Sequence, residues 1–363
     1  MQGHDRAAGS VRAKRIKDQQ ETEVPRAPVT MKDIARAAGV GQSTVSRILN
    51  NTPLTLPVSA ETRERVLALA QEAGYRPNPF ARALRGGPTM LIGAIVRDIT
   101  DPFFAVAIDH LARSANRHGY SLVLGHAQAS VDEALALAGV LQARQSDGIL
   151  LVGDFRHEPQ LLEDLERGTA PVVAMWHGQR RISFHSVEVD NRQGVHLAMD
   201  HLRALGHSRI AFLGGESLGD IRDREAAYRE YLHDAGDSYR AGYVRRAANT
   251  FRGPEAALRG FLNAREAPSA IVAATDVQAI GLLQAAALSG VRIPEDLSVV
   301  GFDDIPFAAA TTPPLTTVRM PVGEMANAAI ELIVEARGAT KSAKAITLAP
   351  TLVIRGSTAP PPA

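Results

Sequence analysis

Thr30-Met31-Lys32-Asp33-Ile34-Ala35-Arg36-Ala37-Ala38-Gly39-Val40-Gly41-Gln42-Ser43-Thr44-Val45-Ser46-Arg47-Ile48-Leu49-Asn50 is the stretch on which the reading turns. Thr30 stands where a helix N-cap is expected, and Asp33 in the next turn is favoured by the helix dipole. Gly39 stops this first helix, and Val40 with Gly41 makes a tight turn. A second helix is expected over Gln42 to Leu49, with Val45, Ile48 and Leu49 at the i, i+3, i+4 spacing of a buried stripe. Gln42, Ser43, Ser46 and Arg47 fall on its other side. An amide, hydroxyls and a guanidinium on one face match the hydrogen-bonding edges of bases in a major groove. Two short helices, a glycine turn and such a face predict a helix-turn-helix. A solvated helix pair is the plain alternative.

The charge around this stretch favours the first reading. Val29 to Pro88 carry eight basic and four acidic side chains, and Met1 to Pro28 carry six and four. The whole chain is at only +1, so the remaining residues hold a net charge of −5. A basic head on a mildly acidic body suits a nucleic-acid-binding module joined to something else. With 363 residues, 45% hydrophobic and 22% charged, the chain has the make-up of a globular protein of two or three domains. It has no cysteine, which excludes disulfides and thiolate metal sites and suits a reducing cytoplasm. No apolar run approaches the ~20 residues of a membrane span. Met1 to Pro28 lacks the apolar core of a secretory signal, so a cytoplasmic location with no membrane partner is expected.

Beyond the second helix, Ser59 caps a third over Glu61 to Ala73, with Val66, Leu69, Ala70 and Ala73 as its stripe and Gly74 as its stop. Asn78 and Pro79 then start a helix over Phe80 to Arg85, too short to persist alone in water. The pattern changes near Gly86, Gly87 and Pro88. From there, short apolar runs alternate with helical stretches. The runs are Met90–Val96, Ser121–Leu124, Gly148–Val152, Pro171–Met175, Ser186–Val189, Arg209–Leu213, Ala270–Ala273 and Ser298–Phe302. Asp101 and Pro102 open one intervening helix, and Gly206, Gly236, Gly290 and Gly338 close others. Such alternation means parallel sheets in an α/β body, and so many strands are better divided between two subdomains. No G-x-G-x-x-G follows the first strand, which disfavours a dinucleotide site.

The head resembles the DNA-binding head of the lactose-repressor/galactose-repressor (LacI/GalR) family. The hallmarks are Asp33-Ile34-Ala35, Ala38-Gly39-Val40, Thr44-Val45-Ser46-Arg47 and Gly74-Tyr75-Arg76-Pro77-Asn78. The body continues the likeness with Asp101-Pro102-Phe103-Phe104, Val189-Asp190-Asn191, Val299-Val300-Gly301-Phe302-Asp303-Asp304 and Pro314-Leu315-Thr316-Thr317-Val318. Met1 to Pro28, polar and aperiodic, reads as a disordered arm over 1–28, and the resemblance implies an all-α head over 29–77 and a hinge helix and linker over 78–88. It further implies a body over 89–355, built of two Rossmann-like lobes like a periplasmic sugar-binding protein; the tail over 356–363, ending in Pro360, Pro361 and Pro362, reads as flexible. Two departures stand out. Gly41 replaces the usual hydroxyl cap of the second helix, and the loop from Asn50 to Val58 is long, with Pro53 and Pro57 in it.

By the same resemblance, Gln42, Ser43 and Arg47 touch bases, with Gln42 suited to adenine and Arg47 to guanine or phosphate, while Thr44 and Ser46 hold phosphates. Leu84 of the hinge helix wedges into the minor groove, flanked by Ala81 and Arg82. In the body, polar and aromatic residues follow the strand ends: Asp98, His126, Asp154, Trp176, Thr275 and Asp303. The resemblance selects Phe103, Phe104, Trp176, Arg224, Thr275 and Asp303, with Thr275 where asparagine is common; with Asp98 from the strand ends they make the expected effector set. Asp276 and Asp304 read as structural caps. Carboxylates, a guanidinium and ring faces together suit a sugar or sugar derivative. The expected function is an effector-controlled repressor that binds a pseudo-palindromic double-stranded operator as a homodimer, without a cofactor. A sugar-binding transport protein and a sugar-processing enzyme are the alternatives. Neither H-E-x-x-H nor G-x-S-x-G occurs, so no catalytic constellation supports the enzyme.

Overall fold

A computed structural model describes residues 29–49, 58–75, 87–155, 157–176, 183–215, 219–237, 240–336 and 342–362. The chain divides into two compact units, Met1–Ala81 and Arg82–Ala363.

In the first unit the helices are α1 (Met31–Ala38), α2 (Gln42–Leu49) and α3 (Ala60–Glu72). Thr30 caps α1 in a reciprocal box with Asp33, whose carboxyl the Thr30 hydroxyl and amide hold below its ordinary value. Gly39 ends α1 at φ 68°, a left-handed turn that costs glycine little. Ser59 caps α3 through the amide of Thr62. Ile34, Ala35 and Ala38 close against Val45, Ile48, Val66 and Ala70 as one small core. Ala73 does not join them. It is the exposed C-cap residue of α3, one position beyond the helix. The arm over 1–28, the loop from Asn50 to Pro57, and the hinge with Ala81, Arg82 and Leu84 lie outside the described residues.

The second unit contains, among the described residues, two six-stranded sheets. The first lobe has β1 (Leu91–Val96), β2 (Ser121–His126), β3 (Gly148–Val152), β4 (Val172–Met175), β5 (His185–Val189) and β11 (Ala345–Leu348). Its order is β2-β1-β3-β4-β5-β11, parallel throughout. The second has β6 (Ile210–Gly214), β7 (Val244–Arg246), β8 (Ala270–Ala273), β9 (Ser298–Asp303), β10 (Thr316–Arg319) and β12 (Thr351–Val353). Its order is β7-β6-β8-β9-β10-β12, with β12 antiparallel. The central strands are buried residue after residue, as strands covered on both faces must be. Helices α4 (Pro102–Arg117), α5 (Val131–Ala143), α6 (Pro159–Arg167) and α11 (Val322–Ala336) cover the first sheet; α7 (Asn191–Ala204), α8 (Gly219–Asp234), α9 (Glu255–Leu262) and α10 (Asp276–Leu288) cover the second. The chain passes between lobes after β5, after β10 and between β11 and β12. Strand order reverses at β1/β3 and at β6/β8, and the carboxyl ends there form the crevice in which such sheets hold ligands.

The tail departs from expectation. Residues Ser357 to Ala359 are bound in place rather than loose. Val299 N donates to Ser357 O (2.9 Å), Thr316 N to the fully buried Ser357 Oγ (2.8 Å), and Ser298 Oγ to Ala359 O (3.1 Å). His207 clamps the end, with Nε2 2.8 Å from Ala359 O and Nδ1 2.9 Å from Ser269 Oγ, and His201 lies 2.9 Å from Thr358 Oγ1. Burial holds both imidazoles below their ordinary pKa; at His201 the neighbouring His207 adds to this, and at His207 the bond to the Ala359 carbonyl opposes it. The unfolded chain therefore takes up protons first as the pH falls below about 6.5, so the tail's contribution to stability declines from there downward. Thermal unfolding between about pH 7 and pH 5 is expected to fall more steeply for the parent chain than for His207→Gln, which keeps an amide in the clamp but does not titrate. Parallel curves would remove His207 from this role.

Candidate functional site

On α2 the exposed side chains are Gln42 and Ser43, with Thr44, Ser46 and Arg47 half-buried and Val45 and Ile48 inside. Without a side-chain cap at Gly41, the helix is started by the Gly41 carbonyl, which accepts from Thr44 N (2.9 Å) and Val45 N (3.1 Å).

In the body the cleft is built around Arg224, which α8 carries into the interior at 1% exposure. Its Nε donates to Asn191 Oδ1 (2.8 Å), Nη1 to the Ala274 carbonyl and to Asp303 Oδ1 (3.3 Å), and Nη2 lies 3.4 Å from Asp220 Oδ2. The guanidinium sits 3.7 Å above the Phe302 ring. Gly194 makes that ring position available, since a Cβ there would lie 2.6 Å from it. Burial raises the Asp303 pKa well above the ordinary carboxylate value, with Arg224 acting in the opposite sense. Phe103, Phe104 and Trp176 form an edge-to-face cluster, with the Phe103 ring 5.4 Å from Phe104 and 5.0 Å from Trp176. The Trp176 indole N–H is buried without an acceptor among the described residues. Trp176 (φ 57°), Asp303 (φ 120°) and Asp304 (φ 57°) all hold left-handed backbone, a strain that proteins concentrate at functional sites.

The remaining predicted residues divide. Asp98 accepts from the amide and hydroxyl of Thr100 (2.9 and 2.7 Å) and lies 3.4 Å from His126 Nε2. Burial pushes its carboxyl up, but these partners bring it below its ordinary value. Thr275 caps α10 and donates to Asn249 Oδ1 (2.7 Å). That overturns the cap expected of Asp276. Fully buried, Asp276 instead accepts from Thr317 Oγ1 and Ile305 N, and burial pushes its pKa up to about 7. Gly301 leaves it that space. Asp304 ties Arg319 and Arg355 together at 2.6 Å each. A cavity of about 430 Å³ adjoins Phe103 and Asp303 and runs between α4 and α11, reaching His110, Arg319, Met320 and Asn327. Sequence reasoning did not assign those four, or Asn191, to the site. His110, Asn191 and the 319–327 stretch lie far apart in the chain, so no local pattern joins them. Among the described residues no group of three metal-ligating side chains occurs, and no helix is long and apolar enough to cross a membrane.

A helix-turn-helix unit joined to a two-lobed body with a buried polar cleft defines a ligand-responsive, DNA-binding transcription regulator. Residues 30–78 match the model of bacterial regulatory proteins of the lacI family, and residues 199–358 that of the periplasmic binding protein-like domain. The HTH-type transcriptional regulator DegA of Bacillus subtilis is 32% identical over 91% of this chain and 98% of its own length. The HTH-type transcriptional repressor CytR of Escherichia coli is 32% identical over 91% and 96%. A crystal structure of the Lac repressor dimer bound to operator and an anti-inducer superposes with a TM-score of 0.80, 27% identity and coverage of 92% of this chain and 100% of that one. A complex of the regulator CelR with cellobiose gives 0.67, 30%, 91% and 99%. The chain belongs to the lacI family of bacterial regulatory proteins.

Proposed function

We propose that this chain is a repressor that binds a pseudo-palindromic operator as a homodimer and is controlled by a sugar or sugar derivative held between its lobes. The observation that carries this reading is the buried Arg224–Asp303 pair, whose Asp303 shares a cavity with Phe103 of the Phe103–Phe104–Trp176 rings, at the carboxyl ends of the parallel strands of two sheets. Hydroxyls need charged, fixed partners and sugar C–H faces stack on rings, while the indole N–H of Trp176 is a buried donor that a ligand oxygen would satisfy. Asp98 and Thr275 belong to the rim of the same cleft in this reading. On α2, Gln42, Ser43 and Arg47 read bases, Thr44 and Ser46 hold phosphates, and Ala81, Arg82 and Leu84 serve the minor groove.

Selection of binding sites from a random duplex pool is expected to enrich an inverted repeat whose affinity falls steeply with salt. On that sequence, Arg47→Ala is expected to cost about 1–3 kcal/mol and to relax preference at one base pair per half-site. No enrichment, or an equal loss on every sequence, would overturn the assignment.

A further inference from the structure

One polar relay crosses the cleft from helix start to helix start. Asp101, in the first lobe, caps α4: its Oδ1 accepts from Phe103 N at 2.9 Å. Its other oxygen faces the second lobe and accepts from Asn249 Nδ2 at 2.8 Å. The Asn249 carbonyl oxygen accepts from Thr275 Oγ1 at 2.7 Å, and Thr275 caps α10 through Gln278 N at 3.2 Å. The carboxylate only accepts, so the amide has one orientation, with nitrogen toward Asp101 and oxygen toward the hydroxyl. A second bridge repeats the polarity. Asp154, following β3 of the first lobe, accepts from Gly219 N, the first residue of α8 in the second lobe, at 2.6 Å. At both places a first-lobe carboxylate meets a second-lobe N–H, and both bonds are charge-assisted.

We infer that Asp101 and Asn249 form a latch between the two lobes, so that they set how readily the cleft opens. Asn249 is the joint of the relay. It lies on an irregular segment after β7 and its side chain links an N-cap in each lobe. Truncating it removes both bonds without touching Arg224, Asp303 or the aromatic cluster. The inference goes beyond the proposed function, because it concerns the equilibrium of the body before any ligand or operator is present.

The chain has no cysteine, so a pair can be introduced cleanly. In the full-length protein, Asp132→Cys on α5 and Ala256→Cys on α9, both exposed, place one spin label on each lobe. Pulsed dipolar spectroscopy without ligand is expected to give a single narrow distance for this parent. Asn249→Ala is expected to add a longer distance and to raise the open-to-closed ratio roughly tenfold, the effect of one lost charge-assisted bond. Asn249→Asp, which sets carboxylate against carboxylate, is expected to open it further. Asp101→Ser keeps a helix cap but withdraws the carboxylate, so it is expected to match Asn249→Ala and serves if that variant folds poorly. A parent already split between two distances, or an unchanged distribution in Asn249→Asp and Asp101→Ser, would overturn the latch. Either result would leave operator and effector binding to be judged by their own assays.

Discussion

Arg224→Ala is expected to abolish the effector response and to destabilise the body by about 3–5 kcal/mol, the cost of breaking a buried ion pair by removing one partner. The guanidinium satisfies Asn191, the Ala274 carbonyl and Asp303, and covers the Phe302 ring. Without it, Asp303 is a buried carboxylate that has lost its cation while Asp276, Asp101 and Asp220 still act on it. Its folded-state pKa, already raised by burial, then rises further. A carboxyl whose folded pKa lies above its unfolded value binds more protons when folded, so the variant loses stability as pH rises and recovers part of it as pH falls. Denaturant midpoints across pH check the sign. Adding Asp303→Asn to Arg224→Ala is expected to cost less than the two single changes together, since the charge left unpaired is gone. A variant with a normal effector response, or with a loss under about 1 kcal/mol, would remove Arg224 from the centre of the cleft.

Removal of residues 1–86 is expected to eliminate operator binding, by at least the roughly thousandfold that separates specific from non-specific affinity, while the body stays folded. The head closes its own core from Ile34 to Ala70, and among the described residues no strand of either sheet comes from before Leu91. Fluorescence anisotropy on a labelled operator, with a thermal melt of the truncated chain, tests both halves. Tight operator binding by the truncated body would place the DNA contacts elsewhere.

The head was legible in the sequence because its structure is local. Thr30, Gly39 and Ser59 act within four residues of themselves, and helix boundaries follow from such caps and from one stripe. Apolar runs likewise located the central strands, since burial on both faces leaves a continuous signal. Val244–Arg246 and Thr316–Arg319 carried no such signal, being short and polar, and were found only by pairing with β6 and β9. The tail was misread because its prolines suggest looseness while Ser357, an unremarkable residue, makes the anchoring bonds. In the cleft, the strand ends pointed to Trp176 and Asp303, and resemblance supplied Arg224, Phe103 and Phe104. Asn191, Asn249 and the Gly194–Phe302 contact depend on distances across the fold that no spacing in the sequence encodes.

The passage of the chain between lobes also dictates an order of events during synthesis. The first sheet opens with β1 at Leu91 but gains its last strand only at Leu348, and the second is sealed by β12 and Ser357 within the next few residues. Thr30 to Tyr75, by contrast, enclose a finished core. On the ribosome the DNA-reading head is therefore complete while both lobes still lack an edge, with β5 and β10 each awaiting a partner from the last part of the message. A chain released early would carry a folded head on a body whose sheets still lack an edge.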